Sequence, residues 1–263
     1  MTLELLISGV NQDVRNLPEK MQLDTDAVIV NQCDKNEYEA FEYQGCTIRV
    51  YHMTDRGVGV SRNTALLHAK GDILLFADED IVYEEGYKEH ILEAFAAHPD
   101  ADMLIFNMDV AADRATYFTT QEKEVRWYNS GRYPTYSMAV RRESLLKKNV
   151  SFSLLFGGGA KYSNGEDSLF IWECLKKGMK AYALPTIIGK EVPRPSTWFH
   201  GYNEKFFFDR GVLYQALYGR MAKLFALRFL LKHKNTMFVD TEKCRLSMKE
   251  AFDLMKKGME EMK

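Results

Sequence analysis

Acidic residues at the end of an apolar run are the first feature of the sequence that could do chemistry. The run Ile73–Ala77 is followed directly by Asp78, Glu79 and Asp80. Two carboxylates this close repel each other unless a cation lies between them. Mg²⁺ and Mn²⁺ take one or two carboxylates and complete their shell with phosphate oxygens. Asp78 and Asp80 are therefore candidate ligands of a divalent cation, and an acidic, solvated turn is the alternative.

A second acidic pair, Glu166 and Asp167, opens a helical pattern that runs from Ser168 to Gly178. A carboxylate held on a rigid element suits a general base, and the loop Phe156–Gly159 beside it is predicted to be mobile because of its glycines. The alternative is a helix cap, because carboxylates near a helix N-terminus interact favourably with the helix dipole.

A glycine-bearing segment, 55–63, leads into another helical pattern. Backbone N–H groups at a helix start, together with Arg56 or Arg62, could receive a phosphate. The spacing matches neither the Walker A loop nor the dinucleotide-binding fingerprint, because the segment has no G-K-[ST] and no G-x-G-x-x-G. A phosphate contact at this segment would therefore use neither of those two motifs.

Apolar runs alternate with helical patterns through the first hundred residues. The fully apolar runs 27–30 and 73–77 suit parallel strands buried on both faces. Such alternation predicts a doubly wound α/β sheet, in which ligands bind beyond the carboxyl ends of the strands. We predict strands at 3–8, 27–30, 47–51, 73–77, 103–106 and 136–140, and helices at 60–71 (ended by Gly71), 87–98, 143–148, 168–178 (ended by Gly178), 206–234 and 247–262.

The helical pattern at 206–234 is strongly basic. Six Lys or Arg residues and no acidic residue lie between Arg210 and Lys234, interleaved with apolar side chains. Such a helix could lie on an anionic membrane surface. The pattern slightly favours the alternative, in which the helix packs its apolar face on the rest of the protein and leaves a solvated basic rim.

Composition excludes several classes of protein. The chain has 35 Lys plus Arg against 37 Asp plus Glu, a net charge of −2, which gives no general attraction to nucleic acid. The longest stretch without a charged residue, 149–160, is too short to span a membrane. The first residues lack a basic region before their apolar run, so we expect no signal peptide. The four cysteines form no C-x-x-C pair, and we expect reduced thiols in a cytoplasmic protein.

The order of these motifs resembles that of the family 2 glycosyltransferases of GT-A fold, and especially bacterial polysaccharide members. The matching residues are Ser61-Arg62-Asn63, then Gly71-Asp72, then Asp78-Glu79-Asp80, then Gly165-Glu166-Asp167. The resemblance covers about residues 3–180, and the segment 201–211 also looks like one seen in those members. It implies a doubly wound mixed sheet with helices on both faces. Residues 1–205 would form the catalytic GT-A domain, and 206–263 a helical C-terminal extension packed on it.

The resemblance also implies residues that bind the nucleotide sugar. The end of the first strand would line the base pocket. The second strand of the family usually ends in an Asp pair, one member of which faces the base, whereas this chain has Asn31 and Gln32. An amide can still donate to and accept from a pyrimidine edge. The implied binding residues are Ser8, Gly9, Asn11, Asn31, Gln32, Arg62, Asp72 (near the base or ribose) and Asp78 (near the ribose or sugar).

The same resemblance implies the chemical roles. Asp80, with Asp78, would ligate a divalent cation (Mn²⁺ or Mg²⁺) that bridges the diphosphate. Asp167 would deprotonate the acceptor hydroxyl, assisted by Glu166. His200 would be either a further metal ligand or a packing contact among the neighbouring aromatic residues.

The expected activity is a metal-dependent, inverting transfer from a nucleoside-diphosphate sugar, with a UDP-sugar favoured. The expected acceptor is a saccharide or a lipid-linked saccharide in polysaccharide or glycan biosynthesis, at the inner face of the membrane. A non-catalytic nucleotide-sugar binder is an alternative, and the presence of both Asp80 and Asp167 argues against it. A nucleotidyltransferase is less favoured, because the G-x-G-T-R-x-x-P loop is absent near the first strand.

Overall fold

A mixed β-sheet forms the centre of the described molecule. The computed structural model describes residues 1–111, 115, 117–192, 201–238 and 244–262. Its strands are β1 (Leu3–Val10), β2 (Asp26–Gln32), β3 (Glu37–Tyr43), β4 (Cys46–Met53), β5 (Ile73–Asp78), β6 (Ile81–Tyr83), β7 (Met103–Asp109), β8 (Lys123–Glu124), β9 (Met138–Arg141) and β10 (Ala181–Glu191).

The strands pair in the order β3-β4-β2-β1-β5-β9-β7-β10-β6, and β8 pairs with β10. At the centre, β1 runs parallel to β2 on one side and to β5 on the other, and β4 runs parallel to β2. The pairs β3/β4, β5/β9, β7/β9 and β10/β6 are antiparallel. The carboxyl ends of β1, β2, β4 and β5 therefore meet at one edge of the sheet.

Both faces of the sheet are buried, which explains why its central strands read as continuous apolar runs. Successive side chains of a strand point to opposite faces. Leu5 and Ile7 of β1 accordingly pack in one apolar cluster, and Leu6 packs in a second cluster on the other face. Tyr87, at the start of a helix, joins the first cluster, and Phe170, from another helix, joins the second. Helices thus cover both faces, as the sequence predicted.

The described helices are α1 (Leu17–Met21), α2 (Val58–His68), α3 (Tyr87–Ala97), α4 (Arg142–Lys148), α5 (Glu166–Lys176), α6 (Glu204–Tyr218), α7 (Ala222–Lys232), α8 (Lys234–Met237) and α9 (Met248–Glu261). Side chains of α1 and α3 pack on one face of the sheet, and those of α2, α4 and α5 pack on the other. Within the described residues, no helix is both long and apolar enough to cross a membrane.

Two predicted helix ends have different outcomes. Gly178 follows α5 in the left-handed conformation (φ +81°), as predicted for a residue that ends a helix. Gly71 does not end α2, because that helix stops at His68 and its cap is Ala69. Gly71 is required for a different reason: a Cβ at this position would lie 2.6 Å from Glu4 Cβ of β1. This glycine permits the close approach of two chain segments.

The sequence patterns missed the edge strand β3 and the interior strand β10. β3 exposes most of its residues, and its three Glu residues interrupt the continuous apolar run that marks β2 and β5. β10 was missed although it is 11 residues long, because Pro185 and Gly189 interrupt its apolar pattern. The structure pairs β10 with β7 through an irregular register, so only the tertiary contacts show that it is one strand.

The C-terminal helices form their own apolar cluster, with buried side chains from α6, α7, α8 and α9. Glycines allow α6 and α9 to cross closely. A Cβ at Gly211 would lie 2.1 Å from Met255 O, and a Cβ at Gly258 would lie 2.1 Å from Phe208 O. Because α6 begins at Glu204, the predicted boundary between residues 205 and 206 falls inside this helix. The division into two domains remains a prediction.

Candidate active site

The carboxyl ends of β1 and β5 place Ser8 and Asp78 side by side in register. Ser61, a fully buried residue in the first turn of α2, donates its hydroxyl to Ser8 Oγ over 2.9 Å. This bond docks the start of α2 on the end of β1. The residue after Ser61 is Arg62, which is thereby delivered to the sheet edge where β5 ends.

Arg62 joins the two acidic pairs of the sequence. Its Nη2 donates to Asp78 Oδ1 and its Nη1 to Glu166 Oε1, each over 3.1 Å, and its side chain is 6% exposed. The guanidinium carbon lies 5.4 Å from the centre of the Phe152 ring. Burial opposes the charge of Arg62, but Asp78, Glu166 and Asp167 together raise its pKa above the ordinary value. The site is therefore built around a permanent, buried positive charge.

Asp167 lies in the first turn of α5, where its Oδ1 accepts from Ser168 N over 2.7 Å. Burial of its carboxyl group and repulsion by Glu166 raise the pKa of Asp167 to about 7. The Ser168 N–H, Arg62 and Arg210 act in the opposite direction and favour the charged form. A carboxyl that gains and loses its proton near neutral pH has the property required of a general base.

The loop 156–164 connects the starts of α2 and α5. Gly158 O accepts from Val58 N over 2.9 Å, at the first residue of α2. Gly157 has φ +101°, and a Cβ there would lie 2.9 Å from Glu166 Cδ. The sequence suggested a loop with few packed side chains, but Phe156 is 2% exposed and lies with Tyr162 in an apolar cluster. Its mobility without ligand stays a prediction.

Asn31 and Gln32, predicted to face the base, use much of their hydrogen-bonding capacity within the protein. Asn31 Oδ1 accepts from Gln12 N over 2.9 Å, and its Nδ2 donates to Gln12 O over 3.1 Å. Gln32 Oε1 accepts from Gly57 N over 2.7 Å. The two amides therefore fix the loop after β1 and the loop before α2, which border the same edge of the sheet.

The loop after β1 is tightly shaped where Gly9 and Asn11 were predicted to line the base pocket. Asn11 has a left-handed backbone (φ +51°), and its N–H donates to Gln32 O over 3.1 Å. A Cβ at Gly9 would lie 2.9 Å from Gln12 Cγ. The structure places both residues beside the ends of β1 and β2.

Asp72 requires a correction. It precedes β5 and therefore lies at the amino end of the strand, ~20 Å from the carboxyl end at about 3.3 Å per residue. Its Oδ2 accepts from Thr2 N over 2.8 Å, and its side chain is largely exposed. Asp72 holds the start of β1, so the prediction that it lies near the base or ribose is wrong.

The ends of β5 and β6 frame the candidate cation ligands. Asp80 lies between these strands and is partly exposed, and its backbone O accepts from Val192 N over 2.8 Å. Only Oδ1 of Asp78 accepts a hydrogen bond from Arg62. Among the residues that the structure describes, no group of three His, Cys, Asp or Glu side chains could hold a metal. His200 lies outside those residues.

This donor set fits a hard cation. Asp78 and Asp80 offer carboxylate oxygens at the sheet edge where the loops after β1, β2 and β5 meet. Mg²⁺ and Mn²⁺ are commonly held by one or two carboxylates, with phosphate oxygens and water as the remaining ligands. A cluster of three protein ligands is therefore not needed here.

Sequence reasoning missed the contributions of α6. Arg210 favours the charged form of Asp167, and Asp209 accepts hydrogen bonds from Ser163, three residues before α5. One sequence signal does point to these residues, because they lie in the segment 201–211 that resembles one in bacterial polysaccharide members of the family. Its spacing from the acidic pair carried no information, because a contact across more than 40 residues depends on how the helices pack.

Known proteins share both the sequence family and the fold. A family model described as Glycosyl transferase family 2 matches residues 12–150, just over half of the chain. No curated protein matches the sequence. Among solved structures, S. aureus TarS 1–349 in complex with UDP-GlcNAc is similar with a TM-score of 0.66 at 16% identity, over 95% of this chain and 77% of that chain.

Other TarS structures agree with this match. The structure of TarS 1–349 in complex with UDP has a TM-score of 0.63 at 15% identity and covers 100% of this chain and 83% of that chain. A longer S. aureus TarS structure has a TM-score of 0.60 at 16% identity, over 95% of this chain and 46% of that chain. At these identities the structural likeness shows the fold, and the family model shows the family. The chain is therefore a glycosyltransferase that belongs to glycosyl transferase family 2 and has the GT-A fold.

Proposed function

We propose that this protein transfers a sugar, with inversion, from a nucleoside-diphosphate sugar to a hydroxyl group of a saccharide or lipid-linked saccharide in glycan biosynthesis. One observation carries the proposal: Arg62 joins Asp78, at the end of a central strand, to Glu166, next to Asp167, whose pKa is raised by burial and by Glu166. A donor site and a proton acceptor are thereby held next to each other. A non-catalytic binder would not need a carboxyl group of this kind.

The donor site lies in the edge formed by the ends of β1, β2 and β5. Ser8, Gly9 and Asn11 border the base pocket, together with the loops that Asn31 and Gln32 hold. Arg62 and Asp78 lie farther along this edge, toward Glu166. The TarS structures in complex with UDP and UDP-GlcNAc share this fold, which supports a uridine nucleotide as the first donor to test.

Asp78 and Asp80 would hold the divalent cation. When bound, such a cation stabilises the charge that develops on a diphosphate leaving group. Asp78 also bonds to Arg62, so its position is fixed before any ligand arrives. Arg62 itself adds a positive charge next to Asp78.

Asp167 is the proposed general base, and it lies at the start of α5, whereas the candidate cation ligands lie at the end of β5. In the proposed reaction the acceptor oxygen bonds to the anomeric carbon while the bond to the diphosphate oxygen breaks. The acceptor proton passes to Asp167, and the bonding electron pair leaves with the nucleoside diphosphate. Glu166 assists by fixing the start of α5 through Arg62 and by raising the pKa of its neighbour. One displacement inverts the anomeric configuration, through an oxocarbenium-like transition state.

The proposed donor site is tested by thermal shift with UDP-N-acetylglucosamine, UDP-glucose and CDP-glucose, with Mn²⁺ or EDTA, because a ligand that binds only the native state raises its stability. We expect at least one UDP-sugar to stabilise the protein with Mn²⁺ and EDTA to weaken its binding. Asp80→Asn should lower the affinity by ~10-fold or more, since it removes a candidate ligand. Asp72→Asn is the matched control, because it neutralises a carboxylate at the other end of β5.

The outcomes separate two parts of this proposal. Equal affinity with EDTA and with Mn²⁺, and in Asp80→Asn, contradicts the cation site. A protein that binds none of these nucleotide sugars contradicts the donor assignment itself.

We further propose that the protein contacts the inner face of the membrane through α7. The helix exposes apolar side chains in an unbroken stripe: Met221, which precedes it, Leu224, Leu227 and Leu231 are each more than 40% exposed. Exposed cations lie among them, and Trp127 and Tyr128, also about half exposed, extend the same surface through the Trp127–Phe225 contact. Such a basic, amphipathic surface with interfacial aromatic residues suits anionic lipid. The cations are Arg220, Lys223, Arg228 and Lys232.

Vesicle co-sedimentation tests this surface. We expect the protein to sediment with vesicles that contain phosphatidylglycerol and not with pure phosphatidylcholine vesicles. Lys223→Glu combined with Lys232→Glu should abolish binding, whereas Lys20→Glu, an exposed charge reversal on α1, should have little effect. Equal binding by the double variant, or no binding by the wild type, contradicts the membrane contact.

A further inference from the structure

Asp209 is a buried carboxylate that the proposed mechanism does not use. It lies within α6 and is 1% exposed. Its Oδ2 accepts from Ser163 N and Ser163 Oγ, each over 2.8 Å, and from Lys205 Nζ over 2.7 Å. A buried carboxylate is strongly unfavourable unless it is paired and hydrogen-bonded. These three bonds satisfy one of its oxygens and attach Ser163 to α6.

Ser163 belongs to the segment that leads directly into α5. Gly165 is the N-cap of α5 and has φ +105°. Leu213 of α6 packs on it so closely that a Cβ at Gly165 would lie 2.5 Å from the Leu213 methyl carbons. Asp209 and Leu213 are four residues apart and therefore share one face of α6. This face fixes both Ser163 and the N-cap of the helix that carries Asp167.

The same region of α6 also acts on the charge of Asp167. Arg210 follows Asp209 and favours the ionised form of Asp167. At the other end of the loop, Gly158 O holds Val58 N, next to the donor side of the cleft. Thus α6 contacts the segment that carries the base, whereas Arg62 and Asp78 lie on other elements. Loss of its contacts would disturb Asp167 while Arg62 and Asp78 keep their positions on α2 and β5.

We propose that Asp209 is a positioning residue for glycosyl transfer: by holding Ser163 it sets the orientation of the first turn of α5 and of Asp167. This inference rests on the proposed function, in which Asp167 is the base. A base displaced by ~1 Å can lose up to ~10²-fold in rate, because the reacting atoms must be aligned. Donor binding depends on residues of other elements and is expected to stay unchanged.

UDP release from UDP-N-acetylglucosamine without added acceptor tests this role, since water then takes the place of the acceptor hydroxyl. Asp209→Asn removes the charge and should lower kcat by ~10-fold, with the KM for the donor unchanged and the acidic limb of the pH profile displaced. Ser163→Ala removes one of the two Ser163 donors and should lower kcat by a smaller factor. Glu261→Gln is the control, because it removes the charge of an exposed ion pair with Lys161 in the same region and leaves the hydrogen bonds of Asp209 in place.

The result decides in every case. Ser163 is partly exposed and keeps its backbone bond in Ser163→Ala, so this variant supplies the answer if Asp209→Asn does not fold. The inference is overturned if the folded variants keep the wild-type kcat and pH profile. It is also overturned if kcat falls only because fewer molecules are active and the pH profile is unchanged. Asp167→Asn is measured in parallel. If Asp167→Asn is inactive while the Asp209 and Ser163 variants behave as wild type, only this inference fails. An active Asp167→Asn variant contradicts the proposed function. So does a wild-type protein that neither binds the donor nor releases UDP.

Discussion

The end of β5 carries the carboxyl pair Asp78 and Asp80, the start of α5 carries Glu166 and Asp167, and Arg62 contacts the two pairs differently. At β5 the guanidinium bonds directly to Asp78, whose side chain is 28% exposed. At α5 it bonds to Glu166, so Asp167 receives no direct bond from it. Burial and repulsion by Glu166 then raise the pKa of Asp167. The comparison teaches that one buried cation can bond directly to one carboxylate of a site while burial and a neighbouring charge raise the pKa of another.

The largest expected effect is that of Asp167→Asn. In its bond with Ser168 N, Asn replaces Asp with little change in stability, because its amide oxygen accepts the same hydrogen bond. As a base, it cannot accept the acceptor proton, and kcat should fall by ~10²-fold or more. We expect a folded variant that binds UDP-sugar like the wild type and is nearly inactive, measured as UDP release and by thermal shift.

Glu166→Gln is the companion variant for this prediction. The new amide keeps one hydrogen-bond acceptor for Arg62 but removes the charge next to Asp167. The apparent pKa of the acidic limb of the pH profile should therefore move down, and turnover at high pH should fall less than in Asp167→Asn. An Asp167→Asn variant that retains more than about a third of wild-type turnover would reassign the base to Glu166 or another residue.

Arg62→Lys should have the next largest effect, on stability. An ammonium group cannot donate to two carboxylates in the fixed geometry of a guanidinium. One of the two acidic partners then loses its charge partner in a partly buried place. Breaking a fully buried pair costs several kcal/mol, and the exposure of Asp78 reduces this. We expect the free energy of unfolding in urea to fall by ~1–3 kcal/mol.

The control for Arg62→Lys is Arg126→Lys. Arg126 makes two bonds to Glu124, but both side chains are about half exposed. Its loss should change the free energy of unfolding by less than ~0.5 kcal/mol. Equal effects at the two positions would show that Arg62 does not organise the cleft.

A further expected effect is the pH dependence of stability that Asp167 causes. Its pKa in the folded protein is raised from 3.8 to about 7, so the folded state binds a proton more tightly than the unfolded state. The stability linked to that proton is present below pH ~4 and is lost as the pH rises through about 7. The melting temperature of the wild type relative to Asp167→Asn should therefore fall between pH 5 and pH 8. A difference that stays constant across this range would mean that Asp167 is ionised throughout.

Local sequence patterns predicted most of the sheet centre. The apolar runs that became β1, β2, β5 and β7 are buried on both faces, so their signal does not depend on which neighbour they pair with. The positions of the acidic residues after β5 and at the start of α5 were also predicted, because each position follows from where a single strand ends or a single helix begins. The polar edge strand β3 and the interrupted strand β10 gave no such signal.

Local sequence patterns did not predict which side chains bond to each other. Asp72 and Asp78 flank the same strand, and only the direction of that strand in the sheet puts Asp78 in the cleft and Asp72 at the opposite end. Asn31 and Gln32 remain predicted base contacts, and the structure adds that their oxygens bond to Gln12 and Gly57. These bonds join segments about 20 residues apart, and no spacing rule specifies them.

The sequence by itself determined the fold class, the family resemblance and the candidate acidic residues, because these follow from residue type, local order and the period of apolar residues. The tertiary structure decided which carboxyl group Arg62 neutralises, and therefore which one has the raised pKa. It also decided that α6 reaches back to Ser163 and Gly165. The physical reason is that burial and electrostatic interaction depend on distances in three dimensions, and those distances are set by packing between elements far apart in the chain.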